Sequence, residues 1–345
     1  MLYYFSEANF RGNHAGTKAR NDVDTILKKF GARPFNTHVL ELRSNQDESI
    51  YSNIHNRLGF IRYYLDLLRL KNQTVIIQYP MLAFDIAYQY VEKLSRRNKV
   101  IFLVHDIQSL RHEGFSGLEA EIKLLNLAHS LIVHNRFMRD KLIELNLSAE
   151  RMYCLECFDY LYDGDDFLCS VKNSVCFAGN LGKAMFRSQL LKQNSNLSFN
   201  LYGPGWNDTL SQNDNAHYCG SFSPDIIPGK LDGQYGLIWD GTTTAGCSGV
   251  LGEYTKINNP HKMSLYIAAG IPVIAWSDAA VSEFIRRYDI GITVECIDTL
   301  QETIADISVE KYIEMKKNVM LLRDRVISGG FLTSVLAQIS KEIPD

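Results

Sequence analysis

The sequence predicts an α/β chain of two domains, each built on a parallel, doubly wound sheet. Three observations carry that reading. The 345 residues exceed what one ordinary core needs. Short apolar runs alternate with stretches of helical spacing along the whole chain. A polar, turn-prone break at Asp159–Lys172, containing Asp163-Gly164-Asp165-Asp166, interrupts the alternation. The break sets the domains at residues 1–160 and 173–329, with the closing helix 330–345 free to cross back onto the first.

In the first domain the strands are expected at Leu2–Phe5, His38–Leu42, Thr74–Tyr79, Val100–Val104, Leu131–His134 and Met152–Cys157. Each is a continuous apolar run, the pattern of strands covered on both faces. Thr17–Phe30, Asn53–Leu70, Ala83–Arg96, Leu118–Ala128 and Arg136–Leu145 space their apolar residues for helices between them. The second domain restarts at Ser174–Phe177 and continues with strands at Phe199–Tyr202, Tyr235–Trp239, Pro272–Trp276 and Gly291–Val294. Ligands of such sheets gather at the carboxyl ends of the strands, so a cleft is expected there.

Composition excludes several classes. Lys and Arg number 36 against 39 Asp and Glu, a balance that gives no general attraction to nucleic acid. No leader-like start and no apolar run of about 20 residues is present, which points to a cytosolic protein. The seven cysteines sit mostly in apolar runs, as at Cys154, Cys176 and Cys296, and fit packed thiols. Cys154-Leu155-Glu156-Cys157 has CxxC spacing but no second ligand pair for zinc, so two strand-end thiols are the simpler reading.

The most informative run is Asn258-Asn259-Pro260-His261-Lys262, which opens an apolar helix ahead of Ala269-Gly270-Ile271-Pro272-Val273. A lysine in a first helical turn opposes the helix dipole, so Lys262 implies an anionic partner such as a diphosphate. His261 serves equally as a second donor or as a cap. Gly179-Asn180 follows a strand with Lys183 just beyond, a loop whose N–H groups and cation suit phosphate. The plain alternative is an ordinary strand-to-helix turn. Between the first strand and first helix, Asn13-His14-Ala15-Gly16-Thr17 would let the backbone approach a ligand closely at Gly16, or simply turn. His105-Asp106 ends the fourth strand, where a general base would sit. Asp106 is the candidate, with His105 orienting it or taking the proton itself, and Glu113 and Asp240 as substitutes.

Phe177-Ala178-Gly179-Asn180-Leu181, Tyr235-Gly236-Leu237-Ile238-Trp239-Asp240-Gly241, Asn258–Lys262 and Ala269–Val273 resemble, in that order, the bacterial β-1,6-galactofuranosyltransferases of surface-polysaccharide assembly. A more distant resemblance is to the glucosyltransferase-3 enzymes that glycosylate streptococcal adhesins. The resemblance implies a GT-B fold, two Rossmann-like domains facing across a cleft. It also implies a UDP-sugar donor held mainly by the second domain, with Gly16, Thr17, Gly179, Asn180, Lys183, Asn259, Pro260, His261 and Lys262 around the nucleotide and Asp240 at the sugar. No metal or other cofactor is expected. The acceptor is a glycan or lipid-linked oligosaccharide of O-antigen or capsule, and relatives imply a homo-oligomer.

Retaining GT-B enzymes carry two glutamates seven residues apart before the Ala-Gly-x-Pro-Val strand, whereas Ile257 and Leu265 stand at those positions here. Inversion by direct displacement is therefore expected, with galactofuranose as the transferred sugar. UDP-glucose or UDP-galactose is the alternative donor. An epimerase using the same pocket lacks its carboxylate pattern, and a non-catalytic partner subunit would not be expected to keep costly cations such as Lys262. Phe222, Trp206 and Trp239 are candidates for stacking, though most large aromatics fill cores. Arg57, Arg62, Arg69 and Lys71 follow a helical course that suits either a solvated face or an anionic membrane.

Overall fold

A computed structural model describes residues 1–5, 15–35, 69–81, 84–112, 117–147, 152–164, 172–206 and 214–343. The expected strand His38–Leu42, most of the helix Asn53–Leu70, and Asn13, His14, Arg57, Arg62, Glu113 and Asp165–Ser170 lie outside them. The chain divides into two compact units: Met1–Gly12, Ala19–Leu155 and Leu332–Asp345 form the first, Asn13–Lys18 and Glu156–Phe331 the second.

The first unit holds β1 (Leu2–Phe5), α1 (Ala15–Lys29) from Ala19 onward, and β2 (Arg33–Phe35). Then come β3 (Thr74–Tyr79), α2 (Phe84–Ser95), β4 (Lys99–Val104), α3 (Gln108–Arg111), α4 (Leu118–Leu125), β5 (Ser130–Val133), α5 (Arg136–Glu144) and β6 (Met152–Cys154). The six strands lie in the order β2-β1-β3-β4-β5-β6, and every pairing is parallel. All six residues of β3 and five of the six in β4 are buried, which explains why these central strands read as unbroken apolar runs.

The second unit holds β7 (Ser174–Ala178), α6 (Arg187–Gln193), β8 (Ser198–Tyr202), β9 (Ala216–Gly220) and β10 (Tyr235–Ile238). It continues with α7 (Gly249–Thr255), α8 (His261–Ala268), β11 (Val273–Trp276), α9 (Val281–Tyr288), β12 (Gly291–Val294), α10 (Leu300–Ala305) and α11 (Val309–Ser328). The closing helix α12 (Gly330–Glu342) belongs mostly to the first unit, where Tyr153 donates to Glu342 Oε2 at 2.6 Å. The second sheet runs β12-β11-β10-β7-β8-β9, again all parallel. Its order reverses between β7 and β10, the point at which an open α/β sheet leaves a crevice at its carboxyl edge.

Tyr266 on α8 locks that switch point from behind. Its ring is fully buried, and its hydroxyl donates to Leu237 O at 3.1 Å while accepting from Ala178 N at 2.9 Å. The hydroxyl thus spans the two strands that part there. Gly236 makes room for the ring, since a Cβ at this position would stand 2.4 Å from Tyr266.

Two strands depart from the sequence expectation. β2 and β9 stand where no strand was expected: Arg33-Pro34-Phe35 contains a proline, and β9 has no buried residue to give it a pattern. Both are edge strands, where such residues are tolerated. The sixth strand is also shorter than the expected Met152–Cys157, ending at Cys154. Cys157 instead packs fully buried with Sγ 3.6 Å from Ser264 Oγ, and burial pushes its thiol well up, so this thiol of the CxxC run is inert.

Candidate active site

Asp240 follows β10 and Gly179 follows β7, so the two flank the switch point. Between them stands Lys262, the second residue of α8, whose Nζ donates to Asp240 Oδ1 at 2.6 Å. The helix opens at Pro260 without a side-chain cap, and Lys262 lies against its positive end. The anion that the dipole argument requires is supplied within the protein by Asp240. The lysine side chain is 19% exposed and that of Asp240 is 40%, so the pair remains open to a ligand. Lys262 Nζ also lies 5.0 Å from the centre of the Phe177 ring.

Glycines bring backbone to this cation. A Cβ on Gly179 would lie 3.2 Å from Lys262 Cε. Gly203, just after β8, has φ +123°, and a Cβ there would stand 2.0 Å from Gly179 O. Only glycine permits that approach. A Cβ on Gly205, at φ +81°, would stand 2.6 Å from Gly182 N, so Gly203-Pro204-Gly205 and the 179–183 loop form one tightly packed double turn. The sequence reading passed over Gly203 and Gly205, although a Gly-Pro-Gly directly after a strand was the available signal.

The other expected residues divide. Asn180 turns its Oδ1 back to accept from Gly182 N at 3.0 Å, capping the turn Leu181–Lys183, and Lys183 is exposed at the end of that turn. Asn259 is buried and donates from Nδ2 to Glu156 O at 2.6 Å, so it braces the approach to α8. The His261 ring lies against Phe158 and Tyr160, with centroids 5.4 and 5.7 Å away. Gly16 and Thr17 fall inside the first turn of α1, which starts at Ala15, and not in a loop before it; Gly16 is exposed and Thr17 buried. Among the stacking candidates, Trp239 is buried and donates Nε1–H to Thr243 O at 2.9 Å, which marks a core role. Trp206 stacks on Tyr218 with centroids 5.2 Å apart, and Phe222 lies against Tyr202.

In the first unit, His105 and Asp106 leave the carboxyl end of β4. His105 Nε2 lies 2.6 Å from Gln78 Oε1, and the amide of Gln78 donates to Asp24 Oδ1 at 2.7 Å, so the imidazole is oriented by an amide relay. Asp106 forms an ion pair with Arg111 from the short helix α3. No side chain of that helix caps it. The fully buried carboxylate of Glu121 does so from α4, accepting from Gln108 N and Ser109 N at 2.8 Å each and from Tyr79 Oη at 2.6 Å. Glu121 therefore fixes the turn that presents Asp106. Nothing in its sequence context separates it from the exposed acids of a surface helix.

His134 was likewise read only as the end of a strand. It is buried behind His105–Asp106 with Nε2 3.1 Å from Val104 O, and burial lowers its pKa to about 4. Its folded pKa lies below the ordinary 6.5, so the unfolded chain binds the extra proton between those values. The stabilisation is present above pH 6.5 and is lost as pH falls towards 4, a loss of about 3 kcal/mol by linkage. Urea titrations across that window should show His134→Gln with a shallower acid slope than the parent chain.

Two parallel six-stranded sheets with helices, and loops gathered at their strand ends, are the architecture of the GT-B glycosyltransferases. Comparison with known proteins gives the same class. Residues 3–157 match the N-terminal domain and residues 175–339 the C-terminal domain of glucosyltransferase 3-like proteins, so this chain belongs to that family. It is 29% identical over 353 residues to the β-1,6-galactofuranosyltransferase WbbI of Escherichia coli K12, covering 99% of both chains. It is 24% identical to glucosyltransferase 3 of Streptococcus gordonii, covering 96% of each. Among solved structures, the lipopolysaccharide outer core galactosyltransferase WaaB superposes with a TM-score of 0.60 at 13% identity, over 99% of each chain. Sucrose-phosphate synthase from Thermosynechococcus elongatus gives 0.58 at 12% identity, over 98% of this chain and 88% of its own.

Proposed function

We propose that this enzyme is an inverting transferase that moves galactofuranose from UDP-galactofuranose to a glycan hydroxyl during surface-polysaccharide synthesis. The observation that carries the donor side is Lys262, held at the N-terminus of α8 on the switch point and 2.6 Å from Asp240. A diphosphate leaving group develops charge as the anomeric C–O bond breaks. A lysine and a helix N-terminus stabilise that charge where it forms. In this reading Asp106 takes the acceptor proton, the acceptor oxygen bonds to the anomeric carbon, and UDP departs on the opposite face. Asp240 positions Lys262 and meets the sugar.

The same reading makes the reaction independent of divalent metal, with Lys262 in the charge-stabilising role, so chelator should leave the rate unchanged. Galactofuranose is favoured over glucose by the greater identity to WbbI than to the streptococcal enzyme. The test is the product: incubation with UDP-galactofuranose and a glycoside acceptor, followed by NMR of the new anomeric centre. A β-linked furanoside supports the proposal. An α-linked product, which keeps the donor's configuration, rejects inversion, and transfer from UDP-glucose alone rejects the sugar.

A further inference from the structure

Arg187, the first residue of α6, is only 6% exposed although its guanidinium is always charged. Its Nη1 donates to Leu181 O at 3.1 Å, and the guanidinium lies 5.3 Å from the centre of the Trp206 ring. Nε is buried with no acceptor. Among the described residues Arg187 forms no ion pair, and burial lowers its pKa with no neighbouring carboxylate to offset the shift. Lys18, buried to a similar degree, is by contrast paired with Asp225 at 3.2 Å. A buried cation without a counter-charge costs stability, and an apolar side chain of similar length would fill the same space without that cost. Packing alone therefore does not account for an arginine here.

The contacts of Arg187 lead to the loop after β7. Leu181 lies in the middle of that loop, two residues beyond Gly179, where a Cβ would stand 3.2 Å from Lys262 Cε. Leu181 N donates in turn to Pro204 O at 2.8 Å, which ties the loop to Gly203-Pro204-Gly205. Trp206 follows that second turn and stacks on Tyr218 of β9 with parallel planes 5.2 Å apart, while Tyr218 Oη donates to Gly203 O at 3.2 Å. Guanidinium, indole and phenol thus form a three-layer stack from α6 to β9, and both turns are pinned to it. The charges around the double turn are unequal in effect. Lys262 is balanced by Asp240 at 2.6 Å, and Lys183 is exposed, where water and salt screen it. Arg187 is the cation that is both shielded from solvent and unbalanced, so its field reaches further.

We infer that Arg187 is a positioning residue of the donor site: it holds the 179–183 loop through Leu181 O and gives that loop an unneutralised positive charge that favours an anionic ligand. The inference rests on the reading of this strand-end loop as the diphosphate site, and it adds a residue that acts through the loop.

The experiment is calorimetric titration of UDP and of uridine into the full chain and its variants, with melting temperatures recorded alongside. Arg187→Met, similar in length and apolar, should weaken UDP binding about tenfold and leave uridine binding unchanged, because uridine carries no phosphate. Its melting temperature should hold or rise, since an unpaired buried charge has been removed. Arg187→Lys, which keeps the charge, should bind UDP within about threefold of the parent. Lys192→Met, an equal charge change on the exposed side of α6, should bind like the parent. If Arg187→Met does not fold, Arg187→Gln takes its place, keeping a donor for Leu181 O without the charge. Equal UDP affinity in the neutral variant and the parent overturns the inference, and so does a parallel loss of UDP and uridine, the mark of packing alone. A parent chain that binds no UDP overturns the donor reading itself and the inference with it.

Discussion

Lys262→Ala should lower turnover by about 10²–10³-fold, the usual cost of removing one group that stabilises charge in the transition state. It should weaken UDP binding in the same variant. The reason is local: the substitution removes the cation from the N-terminus of α8 and leaves Asp240, 2.6 Å away in the parent, as an uncompensated negative charge facing the diphosphate. Lys262→Arg is expected to recover part of the loss, because the charge returns with a different shape. Asp240→Asn should keep nucleotide affinity while impairing transfer, since Lys262 is then unpaired but still present. Calorimetry with UDP and steady-state kinetics on the three variants check these outcomes. Equal UDP affinity in Lys262→Ala and the parent would remove Lys262 from the donor site.

The second large effect is on the acceptor side. Asp106→Asn should depress kcat by about 10²–10⁴-fold with UDP affinity unchanged, as expected for loss of a general base. The competing role is structural, because Asp106 is paired with Arg111 on the turn that Glu121 caps. The two roles differ in their readouts. A base predicts loss of the acidic limb of the rate profile with little change in urea midpoint. A purely structural pair predicts a lowered midpoint and a kcat reduced only slightly. His105→Gln separates the remaining possibility, that the imidazole oriented by Gln78 takes the proton itself.

The fold class was legible because its main strands are fully covered. Thr74–Tyr79 and Lys99–Val104 carry apolar residues on both faces, a pattern that, alternating with helical stretches, fits a parallel sheet between helices. The edge strands Arg33–Phe35 and Ala216–Gly220 were not, because an exposed edge needs no such pattern. Lys262 could be singled out from sequence since a cation opposing a helix dipole is a local conflict. Its partner could not: Asp240 lies 22 residues earlier, and only the pairing order of β7, β10 and β11 brings them together. The same holds for the contact of Gly203 with Gly179, made across paired strands, and for Glu121, which reaches back from α4 to the Asp106 turn. Asn259 shows the converse. Its place in a conspicuous motif suggested a ligand contact, while the structure spends its amide on Glu156 O.

The measurement that tests the central claim most directly is a donor screen. The purified chain is incubated with UDP-galactofuranose, UDP-galactose, UDP-glucose and UDP-N-acetylglucosamine, each with and without a panel of glycoside acceptors, and UDP release and product mass are read together. The account predicts acceptor-dependent UDP release with UDP-galactofuranose and a product heavier by one hexose. Release from another donor only, or no release from any donor in spite of saturable UDP binding, would contradict it.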